Sequence, residues 1–377
     1  MQIWRLTTDP QTATPPPHRP QQSENDLFMD GDSPVNWESF PQLREAAAAL
    51  KSGELVAFPT ETVYGLGADA CNEQAVRKVF AAKGRPADNP LIVHLADPAD
   101  WPTVTAPGYQ PNAAERRAMA SFWPGPLTLL LPAHPAIAPS VHPGLPNIGV
   151  RVPAHPVARA LIRLAGCPVA APSANLSGRP SPTVAADVVA DMADRVAGVV
   201  DAGPCPVGVE STVLSIHPTG TRGTVLRPGW VTTEELTQAL GIPVDLDPHL
   251  TGNAGVPQAP GMKYRHYAPE AAVYVFIGTL AAVREAMTDW IRQDPNLATA
   301  VMAPTSVQLG LPVLARWQPE FQEPYEVALA RELYTQLRVF DRSGARRVLV
   351  MGVVAQGLGT AIMNRLEKAA SGRIIPV

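Results

Sequence analysis

Two successive runs of alternating apolar strands and amphipathic helices, parted by a proline- and glycine-rich break at 243–270, constrain this chain most. In the first run, "PQLREAAAALKSG" (41–53) predicts a helix of strong formers ending at Gly53, with "ELVAFP" following as a strand. "EQAVRKVFAAKG" (73–84) sets Val76, Val79 and Phe80 on one face and stops at Gly84, which predicts a second helix. "PLIVHL", "PLTLLLP" and "PVAAP" read as short buried strands, with a helix over 155–166 before the last of them. "VAADVVADMAD" is a helix, "VAGVVDAG" and "VESTVLSI" are strands, and "TEELTQAL" closes the run near residue 241. The second run goes strand "AAVYVFIG", helix "TLAAVREAMTDWIRQ", strand "ATAVMAP", a long helix beginning "EVALARELY", strand "RRVLVMGV" and a last helix "GTAIMNRLEKAAS". Both runs predict α/β domains, the second a small doubly wound one.

The predicted organisation is therefore a disordered proline-rich tail over 1–35, a first domain over 36–242, a linker over 243–270 and a second domain over 271–377. With 377 residues, 46% of them hydrophobic and 17% charged, the chain can bury a sizeable core. No apolar run is long enough to span a bilayer, and the first residues lack the pattern of a secretion signal. Cys71, Cys167 and Cys205 are scattered without a disulfide framework or a Cys-x-x-Cys knuckle, which fits a reducing cytoplasm. A net charge of −4 argues against a chain devoted to a large nucleic-acid surface. The 42 prolines would pin loops around a preorganised site, although genome composition or heat adaptation explains the same number.

The loops hold the chemistry. "FPTETVYGLGADA" (58–70) puts Thr60, Glu61, Thr62 and Tyr64 just past a strand, where hydroxyls line a crevice or merely shape a turn. "AAKGRPADNPLIVH" (81–94) carries Lys83 and Arg85. A helix C-terminus accounts for Lys83 well and for Arg85 less well, since Arg85 lies beyond Gly84 and is held by Pro86; the two cations on this pinned loop together suit phosphate oxygens. His94 ends a strand, and a lone histidine there is more often structural. Arg151, inside an apolar strand, needs an anionic partner, either a protein carboxylate or a substrate carboxylate. "APSANLSGRPSPT" (171–183) is the strongest local signal: hydroxyls and backbone N–H groups ahead of a helix make an anion cradle, with Thr183 as a candidate N-cap. "GVESTVLSI" and "VLRPGW" add Glu210, Ser211, Thr212 and Arg227. No P-loop, G-x-S-x-G elbow or zinc-type histidine spacing occurs. These residues alone indicate an α/β enzyme with a cationic, hydroxyl-rich cleft for a nucleotide or polyphosphate, and leave the reaction open.

In order along the chain, "PTETVYGLG", "KGRPADNPLIVH", "FWPGPLT", "VRVP", "APSANLSGRPSPT", "GVESTVL" and "LRPG" resemble the YrdC-like family of L-threonylcarbamoyladenylate synthases. The linker motif "APGMKYRHYAP" and the trailing domain resemble its long two-domain form, so the likeness covers roughly residues 40–377. The resemblance implies a YrdC-like twisted mixed sheet with a large concave cleft, followed by a smaller Rossmann-like α/β/α domain. It implies formation of threonylcarbamoyl-AMP from L-threonine, bicarbonate and ATP, with pyrophosphate released and Mg²⁺ carried in on the ATP. A separate transferase then places the group on tRNA beside the anticodon, and tRNA itself is a candidate partner. The family's K-x-R…S-x-N tetrad falls on Lys83, Arg85, Ser173 and Asn175. By similarity Arg85, Asn89, Ser173, Ser181, Arg227, Tyr264 and His266 hold ATP, and Thr62, His94, Arg151, Ala171 and Ser211 hold threonine. Within the linker, Lys263, Tyr264, Arg265 and His266 are expected to act as a lid. The competing reading is a non-catalytic module for double-stranded RNA.

Overall fold

The computed structural model describes residues 1–6, 35–251, 267–319 and 323–377. The chain begins with β1 (Gln2–Arg5), α1 (Pro41–Lys51), β2 (Val56–Phe58), β3 (Gly65–Asp69), α2 (Glu73–Lys83) and β4 (Ile92–His94). It continues through α3 (Ala113–Phe122), β5 (Leu127–Pro132), β6 (Asn147–Arg151), α4 (Pro156–Ala165), β7 (Val169–Ala170) and α5 (Ala185–Met192). Strands β8 (Gly198–Asp201), β9 (Thr212–Ile216) and β10 (Gly223–Arg227), helix α6 (Thr233–Leu240) and β11 (Val244–Leu246) complete the first part. The second part holds β12 (Ala272–Ile277), α7 (Leu280–Gln293), β13 (Thr299–Met302), β14 (Ala315–Trp317) and α8 (Tyr325–Arg342). It ends with β15 (Arg347–Met351), α9 (Leu358–Ala369) and β16 (Ile374–Pro376).

The first part is built on an 11-stranded sheet in the order β1-β8-β2-β3-β7-β4-β6-β5-β9-β10-β11. It is mixed: β2, β3, β7 and β4 run antiparallel in turn, while β4 and β6 are parallel. The apolar faces of α1 and α4 (Leu43, Leu50, Leu161) cover one side with Val56 and Phe58. Those of α2, α3 and α6 (Val79, Phe122, Leu236) cover the other with Leu66 and Leu129. The five strands of the second sheet run β14-β13-β15-β12-β16, and every neighbouring pair is parallel. Helix α7 packs on one face against Phe276, Val301 and Leu349. On the other face α8 and α9 share one core with Val63, Val207, Val209 and Trp230 of the first part. The two parts thus meet through continuous apolar packing. At Gly208 (φ 81°), a Cβ would stand 2.2 Å from the Arg331 carbonyl oxygen of α8, so only glycine allows the approach.

This is the mixed-sheet fold with a smaller α/β domain that the motifs imply, with local differences. Residues 2–5, expected to be disordered tail, form an edge strand paired in parallel with β8. Trp4 is the reason: it is 3% exposed, and its ring lies over Gly198, where a Cβ would sit 2.4 Å from the indole. Its Nε1–H also donates to Glu45 Oε2 at 3.1 Å. Within 58–70, where the sequence left a crevice or a turn open, residues 65–69 form strand β3, because Gly67 leaves room for Phe58 and Val169. Thr183 caps no helix: α5 starts at Ala185 after an uncapped Val184, and the Thr183 hydroxyl meets that of Thr335 on α8 at 2.6 Å. No helix among the described residues is long and apolar enough to cross a membrane.

Replacing Trp4 with alanine removes the anchor of β1 and leaves a void over Gly198. We expect Trp4→Ala to lower the unfolding free energy by about 3 kcal/mol in a urea titration, whereas a change below about 0.5 kcal/mol would show that β1 is not part of the core.

Candidate active site

The ends of β2, α2, β4, β6, β7 and β10 converge on one cleft, whose wall carries Thr60, Thr62, Lys83, Arg85, His94, Arg151, Ala171, Ser173, Asn175, Ser177, Glu210, Ser211, Arg227 and Tyr267. Four cations thus face one another with Glu210 as the one wall carboxylate among the described residues.

Helix α2 sets the first two. Asn72 caps its start by accepting from the Gln74 and Ala75 amides, and Gly84 (φ 59°) ends it, turning Arg85 back toward the cleft. Lys83 is 3% exposed, and its Nζ donates to the carbonyls of Ser173 (2.5 Å) and Asn175 (2.6 Å) and to Asn175 Oδ1 (3.4 Å). The Ser177 amide returns a bond to the Lys83 carbonyl at 2.9 Å. Burial, with the neighbouring Arg85 charge, pulls the Lys83 pKa well below its usual value. Its three partners among the described residues are all oxygen acceptors, so we assign it as an ammonium. Among the described residues Lys83 thus ties the 173–177 loop to the end of α2 while its side chain lines the cleft.

Arg85 is different. Its Nη2 donates to the Asn89 and Pro90 carbonyls at 3.2 and 3.0 Å, its buried Nε has no partner, and it makes no ion pair with a described residue. Burial lowers its pKa to about 10, so it stays charged at neutral pH. With carbonyls as its hydrogen-bond partners and the Asp88 charge acting on it without a salt bridge, the desolvation of this cation is only partly offset among the described residues, and an anion in the cleft would offset more of it.

The other wall carries Arg151 and His94. The sequence left two partners open for Arg151, and the structure supplies the protein carboxylate: Nη2 lies 2.6 Å from Glu61 Oε1, with both side chains almost wholly buried. The N–H groups do not point squarely at the oxygens, so neither Glu61 oxygen gains a well-aligned hydrogen bond. Nη1 donates to Thr62 Oγ1 at 3.0 Å and Nε to the Gly125 carbonyl at 3.3 Å, which leaves N–H donors over. His94 Nδ1–H donates to the Ile92 carbonyl at 3.1 Å. Burial and the Arg151 charge lower its pKa to about 3, so the ring is neutral at pH 7 and offers Nε2 as an acceptor.

Ser211 and Arg227 complete the far side. Arg227 Nη2 donates to the Ser211 carbonyl (2.8 Å) and Oγ (3.0 Å), and Ser211 Oγ meets Thr128 Oγ1 at 2.8 Å. Ser173 Oγ donates to Asn175 Oδ1 at 2.5 Å, which joins the S-x-N pair directly.

Not every expected residue reaches the wall. Ser181 is fully buried and donates to Glu210 Oε1 at 2.7 Å; Asn89 is fully buried behind the cleft with its side-chain amide unpartnered. Tyr64 points into the core, where its hydroxyl donates to the Gly203 carbonyl at 2.7 Å. Tyr264 and His266, with Lys263 and Arg265, lie outside the described residues. Tyr267 is a wall residue not singled out as a ligand in the sequence; its position beside those bases was the available signal. Among the described residues no three His, Cys, Asp or Glu side chains could hold a metal ion. Glu61 and Glu210 are taken by Arg151 and Arg365, so the cleft does not fit a protein-held Mg²⁺.

Fold and wall together define an α/β enzyme cleft with a surplus of positive charge. A family model described as "Telomere recombination" matches residues 48–229, and one described as "Threonylcarbamoyl-AMP synthase, C-terminal domain" matches residues 231–371. Threonylcarbamoyl-AMP synthase of Bacillus subtilis (strain 168) is 44% identical over 336 residues, covering 89% of this chain and 94% of the relative. The synthase of Pyrococcus abyssi is 42% identical over 337 residues, covering 89% and 96%. The crystal structure of P. abyssi Sua5 complexed with L-threonine superposes with a TM-score of 0.81 at 40% identity, covering 89% of this chain and 96% of that one. The chain belongs to the threonylcarbamoyl-AMP synthase family. It is therefore an enzyme, which sets aside the reading as a non-catalytic RNA module.

Removing one partner of the Arg151–Glu61 pair strands a buried charge. Arg151→Gln should cost about 3 kcal/mol of unfolding free energy. The Glu61→Gln/Arg151→Gln double variant should cost clearly less than the sum of the two single changes in a double-mutant cycle. Additive losses would show that the pair does not interact.

Proposed function

We propose that the cleft joins L-threonine, bicarbonate or carbon dioxide, and ATP into threonylcarbamoyl-AMP and pyrophosphate, for threonylcarbamoylation of the adenosine beside the anticodon of tRNA. The amine of threonine adds to the carbon of CO₂ and loses a proton, giving a carbamate; from bicarbonate, that proton leaves with a hydroxide as water instead. A carbamate oxygen then attacks the α-phosphorus of ATP, and the bond to the bridging oxygen breaks as pyrophosphate leaves.

The observation that carries this reading is the buried Arg85, whose Nε has no partner and which forms no salt bridge with a described residue, although the Asp88 charge acts on it. Carbamate, triphosphate and the threonine carboxylate are all anionic, and fixed cations in a water-poor cleft stabilise charge without reorganising. In this reading Arg85 and Arg227 face phosphate, while the hydrogen-bonded Ser173–Asn175 pair, tied down by Lys83, shapes the cradle for the nucleotide. Arg151 takes the threonine carboxylate with its remaining donors. His94 Nε2 accepts from the threonine side, and Thr62 and Ser211 complete that pocket beside Ala171. Asn89 and Ser181 serve ATP from behind the wall. Mg²⁺ enters on the ATP phosphates and offsets their charge. Tyr267 is 6% exposed on the cleft wall, and the Ala268 amide donates to the Gly178 carbonyl at 2.9 Å. Tyr267 and Ala268, the described end of the linker, thus border the cleft, and a water-poor cleft protects the labile carbamate. The reading places the enzyme in the cytoplasm, upstream of a separate transferase.

Purified protein should release pyrophosphate from ATP only when both threonine and bicarbonate are present. Arg85→Ala should lower turnover by roughly 100-fold with an unchanged circular dichroism spectrum. Pyrophosphate release without threonine, or full activity in Arg85→Ala, contradicts the reading.

A further inference from the structure

Behind the cleft, the second domain inserts one side chain between two loops of the first. Arg365 of α9 is 0% exposed. Its Nε and Nη2 both donate to Glu210 Oε2 at 3.1 Å, and its Nη1 donates to the Pro228 carbonyl. Glu210 immediately precedes Ser211, and Pro228 immediately follows Arg227, both on the cleft wall. The two loops run in backbone contact: a Cβ on Gly229 would stand 2.3 Å from the Thr212 amide nitrogen and 2.5 Å from the Glu210 carbonyl oxygen. One guanidinium therefore spans both segments at the point where they leave the cleft.

Other contacts from the second domain converge on the same carboxylate. The Tyr334 hydroxyl of α8 donates to Glu210 at 3.0 Å, and the Tyr334 ring stacks on Tyr267 at 5.2 Å. Arg365 lies 5.9 Å from the centre of the Tyr267 ring. Tyr267 adopts φ 65°, a left-handed conformation unfavourable for a tyrosine and held here by this packing. Burial alone would raise the Glu210 pKa, but the Arg365 and Arg227 charges overcome that and lower it to about 2, so the carboxylate is ionised throughout the working pH range. Two N–H groups of Arg365 converge on one oxygen, Glu210 Oε2, while a third reaches the Pro228 carbonyl, and the compact ammonium of a lysine cannot hold both in one rigid plane.

We propose that Arg365 is a positioning residue for the cleft: by clamping Glu210 and Pro228 it sets Ser211 and Arg227, and through it the second domain forms the outer support of the substrate site. That Ser211 and Arg227 meet threonine and ATP rests on the function proposed above; the clamp itself rests on the contacts alone.

The test compares Arg365→Gln and Arg365→Lys with Arg342→Gln. Arg342 lies on the same domain face but pairs with Asp187 of α5 at 2.6 Å, away from both loops, so its loss loosens docking without touching the clamp. With each protein assayed below its unfolding temperature, Arg365→Gln should raise KM for threonine and for ATP at least tenfold, with kcat reduced less than threefold. Arg365→Lys, which can still pair with Glu210 but cannot also reach Pro228 in the same fork, should fall between it and wild type. Arg342→Gln should keep both KM values within twofold. Unchanged KM values in Arg365→Gln, or an equal rise in Arg342→Gln, overturn the clamp. If Arg365→Gln does not fold, Arg365→Lys decides alone, with at least a threefold rise in KM expected and an unchanged KM overturning the proposal. Wild-type turnover measured alongside tests the reaction separately. Amide hydrogen exchange at residues 208–211 and 227–230 tests the clamp whatever the reaction: faster exchange in Arg365→Lys than in Arg342→Gln is expected, and equal exchange overturns it.

Discussion

The buried pair of Glu210 and Arg365 is the interaction on which the rest of this structure depends. Each charge is almost wholly removed from water, so each requires the other: an isolated buried ion costs several kcal/mol, and the pair survives only because its hydrogen-bonding capacity is nearly filled. Filling it draws in Ser181, Tyr334 and the Pro228 carbonyl, which belong to three different segments of the chain. The apolar cluster that joins Val207, Val209 and Trp230 to Leu333 and Leu366 seals the pair from solvent. Sequence order separates the two domains, but this shared core makes them one packed body around the cleft.

The cleft's electrostatics follow from how its cations are paired. Arg151 has Glu61, and Lys83 has three oxygens of the S-x-N loop. Arg85 has only backbone carbonyls among the described residues. Among these three the cation without a salt-bridged carboxylate or a ring of loop oxygens is therefore Arg85, where the chain leaves α2. A phosphate at Arg85 would meet a buried cation that forms no salt bridge with a described residue, which is why that residue carries the functional reading.

Much of this was legible in the sequence wherever a short segment suffices to define the geometry. Helix α2 with its Gly84 stop, the loop dense in serine and asparagine, and the strand–helix alternation are local patterns, and they recur as expected. What escaped depends on contacts between distant segments. Trp4 needs Gly198 to become an anchor, and neither residue is informative alone. Tyr64 and Thr183 carry hydroxyls in motif loops, yet one bonds the Gly203 carbonyl and the other bonds Thr335 of the second domain. Arg365 lies 155 positions from Glu210, in a helix whose sequence reads as ordinary amphipathic surface and core. Nothing local distinguishes a clamp arginine from a solvated one, because burial and the partner are both set by tertiary packing.

The central claim, that the second domain is part of the cleft's wall and not an appended module, has a direct test. Trp123 lies in the core of the first domain, and Trp290 packs against Tyr274 and Phe276 in the second. With fluorotryptophan incorporated, ¹⁹F NMR reports each during a urea titration. The account predicts that both signals are lost in one transition with a common midpoint, as a single cooperative unit requires. Two transitions separated by more than about 0.5 M urea, with the first-domain signal surviving the loss of the second, would contradict it.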